Sequence, residues 1–250
     1  MPKIGVCKLC REETNFQESH FIPAALYPKA QKLEDATRIG SGAVIEHMKV
    51  SLLCSDCEIR FDRNGDSEVL RHIAPKSVKR FPLHEKLRLA LPREMEDDSL
   101  SRFAGYDIGL DMDKFAYFTL SVVWRNAVHQ WVLPDGNAAP PIVLGGFEEP
   151  IRKYLHGEAP LPPDTAIIVI VCSDEEARNT WVTPSTNVQA MCLNFRFLAR
   201  GEFFRAMMGW PLPQYFRDRC CTSPRKCVFY GDVKHRMPEI FQIFDAHARG

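Results

Sequence analysis

No apolar run in this 250-residue chain is long enough to cross a bilayer. The longest, Ala166–Cys172, has seven members, against the roughly 20 that a membrane helix needs. The opening Met1-Pro2-Lys3-Ile4-Gly5 has none of the apolar core of a signal peptide. There is no internal repeat and no low-complexity tract. With hydrophobic content at 45% and charged content at 26%, the composition excludes disordered and fibrous classes. These absences predict a cytoplasmic protein with no membrane contact. Disulfides are disfavoured in that compartment, so the nine cysteines read as metal ligands or free thiols.

Net charge is also lacking, since 32 basic residues balance 32 acidic ones. The balance is not local. Residues 1–93 carry 16 basic and 12 acidic side chains (net +4), residues 94–199 carry 7 and 15 (net −8), and residues 200–250 carry 9 and 5 (net +4). Between Arg71 and Arg93 seven basic residues, including Arg71, Lys76, Lys79 and Arg80, face the single acid Glu85. Nucleic acid would be drawn to the ends of the chain and repelled by its middle. The competing reading of the basic run is a solvated helical face.

Apolar periodicity predicts a helix from Lys114, with Phe115, Phe118, Val122 and the pair Trp124–Arg125 recurring at helical spacing. Short strands are expected at Val132-Leu133 and Pro141–Leu144, around the turn Pro134–Asn137, and a short helix over Glu148–Leu155 with Pro150 in its first turn. Ala166–Cys172 reads as a buried strand, Val188–Phe197 as another, Gly201–Gly209 as a helix, and Pro238–Ala248 as a helix with Ile240, Phe241 and Phe244 on one face. In the Gly201–Gly209 helix, Phe203, Phe204, Met207 and Met208 would be ordinary core. The second half is thus an α+β domain around a small sheet, and the whole chain is of the α+β class.

Cys7-Lys-Leu-Cys10 and Cys54-Ser-Asp-Cys57 are two CxxC pairs with 43 residues between them. One such turn presents two thiolates to a cation, and a second completes a tetrahedron. Zn²⁺ suits the set because it brings no redox chemistry and binds thiolates tightly enough to help fold a small module. Of the others, Cys172 and Cys192 sit in apolar stretches and read as small core residues. Cys220, Cys221 and Cys227 lie in a basic loop and read as free thiols, with a second metal site the alternative.

The segment Glu18-Ser19-His20-Phe21-Ile22-Pro23 lies ten residues beyond the first pair, and the second pair opens an expected helix through Asp62. The combination of Ser19-His20-Phe21-Ile22-Pro23, Leu52-Leu53-Cys54-Ser-Asp-Cys57-Glu58 and Ser121-Val-Val-Trp124-Arg125 resembles the zinc-stapled form of the HNH, or ββα-metal, endonucleases. It is most similar to a group of bacterial proteins in that family. The nuclease resemblance covers roughly the first 75 residues. It implies a zinc-bound treble-clef domain over residues 1–75. Pro82, Pro92 and the acidic cluster Glu94–Asp98 mark a basic-to-acidic connector over 76–100, and the α+β domain then spans 101–250, for regulation, targeting or assembly.

The resemblance further implies DNA phosphodiester hydrolysis, with His20 as general base and Glu58 and Asp62, at i and i+4, holding a catalytic Mg²⁺ or Mn²⁺. Arg71, Lys76, Lys79 and Arg80 would contact DNA phosphates. Family analogy suggests phage defence or a toxic effector, with a second copy or a partner protein of a defence system as further contacts. Two positions depart from the family pattern. Ser19 stands where many members have Asp or His, and Lys49 stands at the place of the family's Asn, with His47 close by. The alternative function is a zinc module that binds nucleic acid or protein without cutting. Glu68 and His72, also at i and i+4, read as a polar surface pair, and Trp124 and Arg125 as residues that pack and bridge the two halves.

Overall fold

In the computed structural model, described residues are 4–20, 23, 38–39, 43–44, 49–73, 82–92, 94–97, 100–132, 138, 143–162, 165–172, 185–189, 192–199, 202–209 and 226–231. Ile4–Val6 (β1) and Glu13–His20 (β2) form an antiparallel hairpin across the first cysteine pair. Arg38–Ile39 (β3) and Ala43–Val44 (β4) pair with each other. Lys49–Cys54 (β5) then returns antiparallel to β2, giving a sheet of order β1-β2-β5. A bulge between Gln17 and Glu18 shifts the β2–β5 register, after which Ser19 pairs with Val50 and His20 with Lys49.

From Cys54 the chain passes directly into α1 (Ser55–Phe61), a π-helical turn (Asp62–Asp66) and α2 (Ser67–Ile73). Backbone angles stay right-handed at Phe61, Asp62 and Ser67, so the three pieces form one long helix with a widened turn. A π turn inside a helix costs stability and often marks a functional position. This helix outruns the expected Cys54–Asp62. Within the expected connector, Pro82–Leu89 forms α3 and Glu94–Asp97 forms β6.

The remaining strands, Leu100–Ala104 (β7), Ala166–Cys172 (β8), Ser185–Gln189 (β9), Cys192–Ala199 (β10), Glu202–Gly209 (β11) and Lys226–Gly231 (β12), join β6 in one sheet of order β6-β7-β12-β8-β11-β10-β9. Neighbours are antiparallel except β12 and β8. The expected Gly201–Gly209 helix is therefore wrong: Glu202–Gly209 form β11. Its register runs Leu198↔Phe203 against β10 and Phe203↔Ile170 against β8. β11 is paired over its full length with β10 and over Glu202–Met207 with β8, and this ladder outweighs the helical spacing of four large apolar side chains. The expected Val188–Phe197 strand is split between β9 and β10, and Cys227 lies in β12 rather than a loop. Val132 makes an isolated bridge to Ala138, and Val143 and Leu144 lie in no strand. The expected Pro238–Ala248 helix, Cys220 and Cys221 lie outside the described residues.

Met112–Ala127 (α4) and Glu148–His156 (α5) match their expected positions. Asp111 caps α4 by accepting from the Lys114 amide at 3.1 Å. Thirteen of the 16 residues of α4 are buried, which identifies a helix surrounded by protein rather than one with a wet face. One side, with Tyr117, Leu120 and Trp124, packs on Leu9, Leu53, Phe61 and α5. The other, with Phe115, Phe118 and Val122, packs on Val69, Leu87, Phe103 and Val169. Gly65 in the π turn lies so close to α4 that a Cβ there would meet the Phe118 amide nitrogen at 2.9 Å. Among the described residues no helix is long and apolar enough to cross a membrane.

Candidate metal centre

The Cys7–Cys10 turn is a knuckle closed by two backbone bonds, Cys7 N–H to Glu12 O and Arg11 N–H to Cys7 O, each 2.9 Å. Closure places Arg11 at φ +66°, a left-handed conformation that a non-glycine residue adopts only where its surroundings impose it. Lys8 N–H bonds Leu52 O at 3.2 Å, which ties the knuckle to β5. Cys54 ends that strand and Cys57 sits in the first turn of α1. All four Sγ atoms lie within 4.8 Å of one another. The Cys10–Cys54 separation of 3.9 Å matches the edge of about 3.8 Å that a tetrahedron with Zn–S near 2.3 Å requires.

The protons on these thiols are unevenly held. Cys7 is lowered to about 4, first by a hydrogen bond from Cys57 and further by backbone amides, Cys54 N–H at 3.4 Å among them. Cys10 is pushed up to about 11 by burial, and Cys57 is raised by its bond to Cys7. Sulfurs crowded in this way form a site in which a dication would replace thiol protons and leave thiolate ligands. The donor set fits structural Zn²⁺, as expected from the spacing. Among the described residues this is the one group of three or more His, Cys, Asp or Glu in metal-binding proximity.

Next to the staple lies a polar cluster. Ser19 is fully buried and donates to Glu58 Oε1. His20, half-buried, closes β2, and its backbone carbonyl accepts from Arg125 Nη1 at 2.8 Å. Arg125 is 1% exposed. Its Nη2 lies 3.9 Å from Asp66 Oδ1, a buried oxygen with no hydrogen-bond partner. Burial raises Glu58 despite the nearby Arg125 charge and the Ser19 bond. Asp66 is pushed up to about 6 by burial, with Glu58 and Asp62 adding repulsion and Arg125 opposing it. Asp62 is exposed and accepts from Ser67 Oγ at 2.7 Å.

Ser19 and Glu58 are thus bonded to each other, and His20 is the next residue of β2, held through its carbonyl by Arg125, while Asp62 faces solvent on the same helix as Glu58. Lys49 makes an exposed ion pair with Glu18 at 2.8 Å, and His47 lies outside the described residues. Sequence reasoning misses Asp66, although its i+8 spacing from Glu58 is visible there. Arg125 has its own signal, a fixed charge at the end of the largely apolar helical segment Phe115–Trp124. As expected, Trp124 and Arg125 both pack and bridge, since Trp124 is 1% exposed and sits in the cysteine-side core.

The expected surface pair Glu68–His72 is a correction. The two are 8% and 3% exposed and bonded to each other at 3.0 Å, because α3 and α4 cover the helix face that carries them. Arg71 is exposed and ion-paired with Glu68 at 2.6 Å, whereas Lys76, Lys79 and Arg80 lie outside the described residues. A second buried arginine, Arg152 of α5, donates to Leu9 O inside the knuckle at 2.6 Å and is neutralised by Glu149 and Glu158. Comparison with family models, curated proteins and solved structures gives no match to this chain.

Proposed function

We propose that this chain is a metal-dependent endonuclease of HNH type that hydrolyses DNA phosphodiester bonds. The supporting observation is the adjacency created by the cysteine staple. His20 ends the strand that follows one CxxC, and Glu58 sits in the helix that the other CxxC begins, with the Ser19 hydroxyl, one residue before His20, donating to Glu58. A neutral imidazole can take a proton from water at neutral pH, so His20 would serve as general base for in-line attack. Glu58 and Asp62 supply hard oxygen donors of the kind that suits Mg²⁺ or Mn²⁺. Such a cation, when bound, stabilises the charge on the leaving oxygen. Arg71, Lys76, Lys79 and Arg80 would neutralise phosphates along the DNA.

The test is incubation of the full chain with plasmid DNA and Mg²⁺ or Mn²⁺. His20→Ala should keep its fold and zinc yet lose roughly 10²–10⁴-fold in cleavage. Cleavage undiminished in that variant would overturn the assignment.

One observation favours a second reading. Glu58 and Asp62 already accept hydrogen bonds from Ser19 and Ser67, and Arg125 adds positive charge beside Glu58. A zinc module that binds nucleic acid or protein without cutting has these features as well. It predicts salt-sensitive DNA binding with no nicking under either cation. Replacing Lys76, Lys79 and Arg80 together by Ala would then lower the salt dependence by about one log–log unit for each phosphate no longer neutralised.

A further inference from the structure

Arg125 is held from three directions before it reaches β2. Within its own helix, Nε donates to Ser121 O at 3.3 Å and Nη2 to Ser121 Oγ at 3.2 Å. The guanidinium carbon lies 5.2 Å from the Phe61 ring centroid of α1, a stacking contact suited to a planar cation. Asp66 of the π turn supplies the opposite charge at 3.9 Å. The remaining Nη1 donates across 105 residues of sequence to the main-chain carbonyl of His20. One residue earlier, the Ser19 side chain is fastened to Glu58. Two consecutive residues at the end of β2 are therefore clamped, one by α1 and one by α4.

A fully buried arginine is a costly way to fill space, because an apolar side chain of similar volume packs without desolvating a charge. What the guanidinium provides and an apolar group cannot is a rigid fork of donors, here aimed at the backbone of one residue. We infer that Arg125 is the positioning residue for His20, its guanidinium fixing the main chain from which the imidazole projects. This inference rests on the reading of His20 as general base. The end of a strand is where backbone frays, and a base displaced by about 1 Å loses much of its effect. Arg125 acts through the carbonyl and does not touch substrate.

The test uses the full-length zinc-loaded protein, with the wild type, Arg125→Lys and Ser121→Ala compared. The readouts are the imidazole carbon–proton NMR spectrum, with His20 assigned from its absence in His20→Ala, and plasmid cleavage resolved into kcat and KM. Arg125→Lys keeps the charge beside Asp66 but loses the fork. It should broaden or split the His20 signal and lower kcat by roughly 10²-fold, with KM within about twofold of wild type. Ser121→Ala removes one of the bonds that orient the guanidinium and should give the same pattern, weaker. A folded, zinc-loaded Arg125→Lys protein with wild-type His20 signal and kcat would overturn the inference. Should that variant fail to fold, Ser121→Ala decides on the same two readouts. If the wild type cleaves no DNA, the endonuclease reading falls while the His20 spectrum still judges Arg125. If it cleaves and the spectrum ignores Arg125→Lys, the inference falls and the endonuclease reading stands.

Discussion

Gly65 has no room for a methyl group, because its hypothetical Cβ would lie 2.9 Å from the Phe118 nitrogen and 3.0 Å from the Phe118 Cα. Both are backbone atoms of a buried helix and cannot rotate aside. Ala favours helix over Gly by about 1 kcal/mol, but overpacking against a fixed neighbour costs about 1–3 kcal/mol. Gly65→Ala should therefore be destabilising, by up to about 2 kcal/mol in urea denaturation; a gain in stability would mean that α4 yields freely. His72 carries a second prediction. Burial, with Lys86 and Arg71 adding repulsion, lowers it, although Glu68 pulls it the other way; Nδ1 is buried without a partner. A histidine depressed in the folded state contributes stability that is complete above its unfolded pKa of about 6.5 and declines as pH falls below that value. In Glu68, burial raises the carboxyl, but bonds from His72 and Arg71 outweigh it and leave it lowered, so its contribution is lost only in more acid solution. His72→Leu should reduce the loss of stability between about pH 7.5 and 5.5 relative to wild type, and an identical loss in both proteins would refute the assignment. Sequence alone misreads this pair because an i,i+4 Glu–His on a helix has the pattern of a wet face. That α3 and α4 cover it is a fact of tertiary packing, and no local pattern encodes it.

The cysteine staple joins three elements: the knuckle, the end of β5 and the start of α1. Removing one ligand removes the attachment between strand and helix along with the metal. Cys57→Ser should abolish stoichiometric zinc in elemental analysis and remove hydrogen-exchange protection from β2 and β5, since apparent binding energies at such sites are on the order of 10 kcal/mol. Retention of zinc at one ion per chain would show that the four sulfurs are not the site. The staple is legible in the sequence because ligand spacing is a covalent property of the chain. The helix α4 is legible for a related reason, its apolar residues Phe115, Phe118 and Val122 following one helical period. For β11 the same rule misleads. Phe203, Phe204, Met207 and Met208 satisfy a helical period equally well, and what makes them a strand is the presence of β10 and β8 on either edge. The π turn is equally invisible, because the sequence pattern does not register a widened turn between two α-helical segments.

At the scale of the whole molecule, α4 is the shared wall of both cores. Its Tyr117, Leu120 and Trp124 belong with the cysteine-bearing elements, while Phe115, Phe118 and Val122 belong with α2, α3 and the large sheet. Phe61 is fully buried and makes edge contacts with Tyr117 and Trp124, at 5.9 and 6.3 Å between ring centroids. Tyr117 in turn donates to Leu155 O of α5 at 2.5 Å. Two buried arginines from the second half, Arg125 and Arg152, each supply a donor to a main-chain carbonyl of the first, at His20 and Leu9. Burying one Leu or Phe side chain stabilises by about 1.5–3 kcal/mol, so the residues that the cysteine module buries against α4 and α5 account for much of its stability. A fragment ending at residue 75 should bind zinc through the same four cysteines but lack a fixed interior, because Leu9, Leu53 and Phe61 lose their partners. Zinc titration of that fragment with cobalt as spectroscopic probe, followed by amide NMR, would check both halves of this claim. Tetrahedral thiolate absorption with poorly dispersed amide signals is the expected result. Well-dispersed signals from the fragment alone would show that the staple suffices, and that the arginine contacts from α4 and α5 refine the positions of β2 and the knuckle without holding the module together.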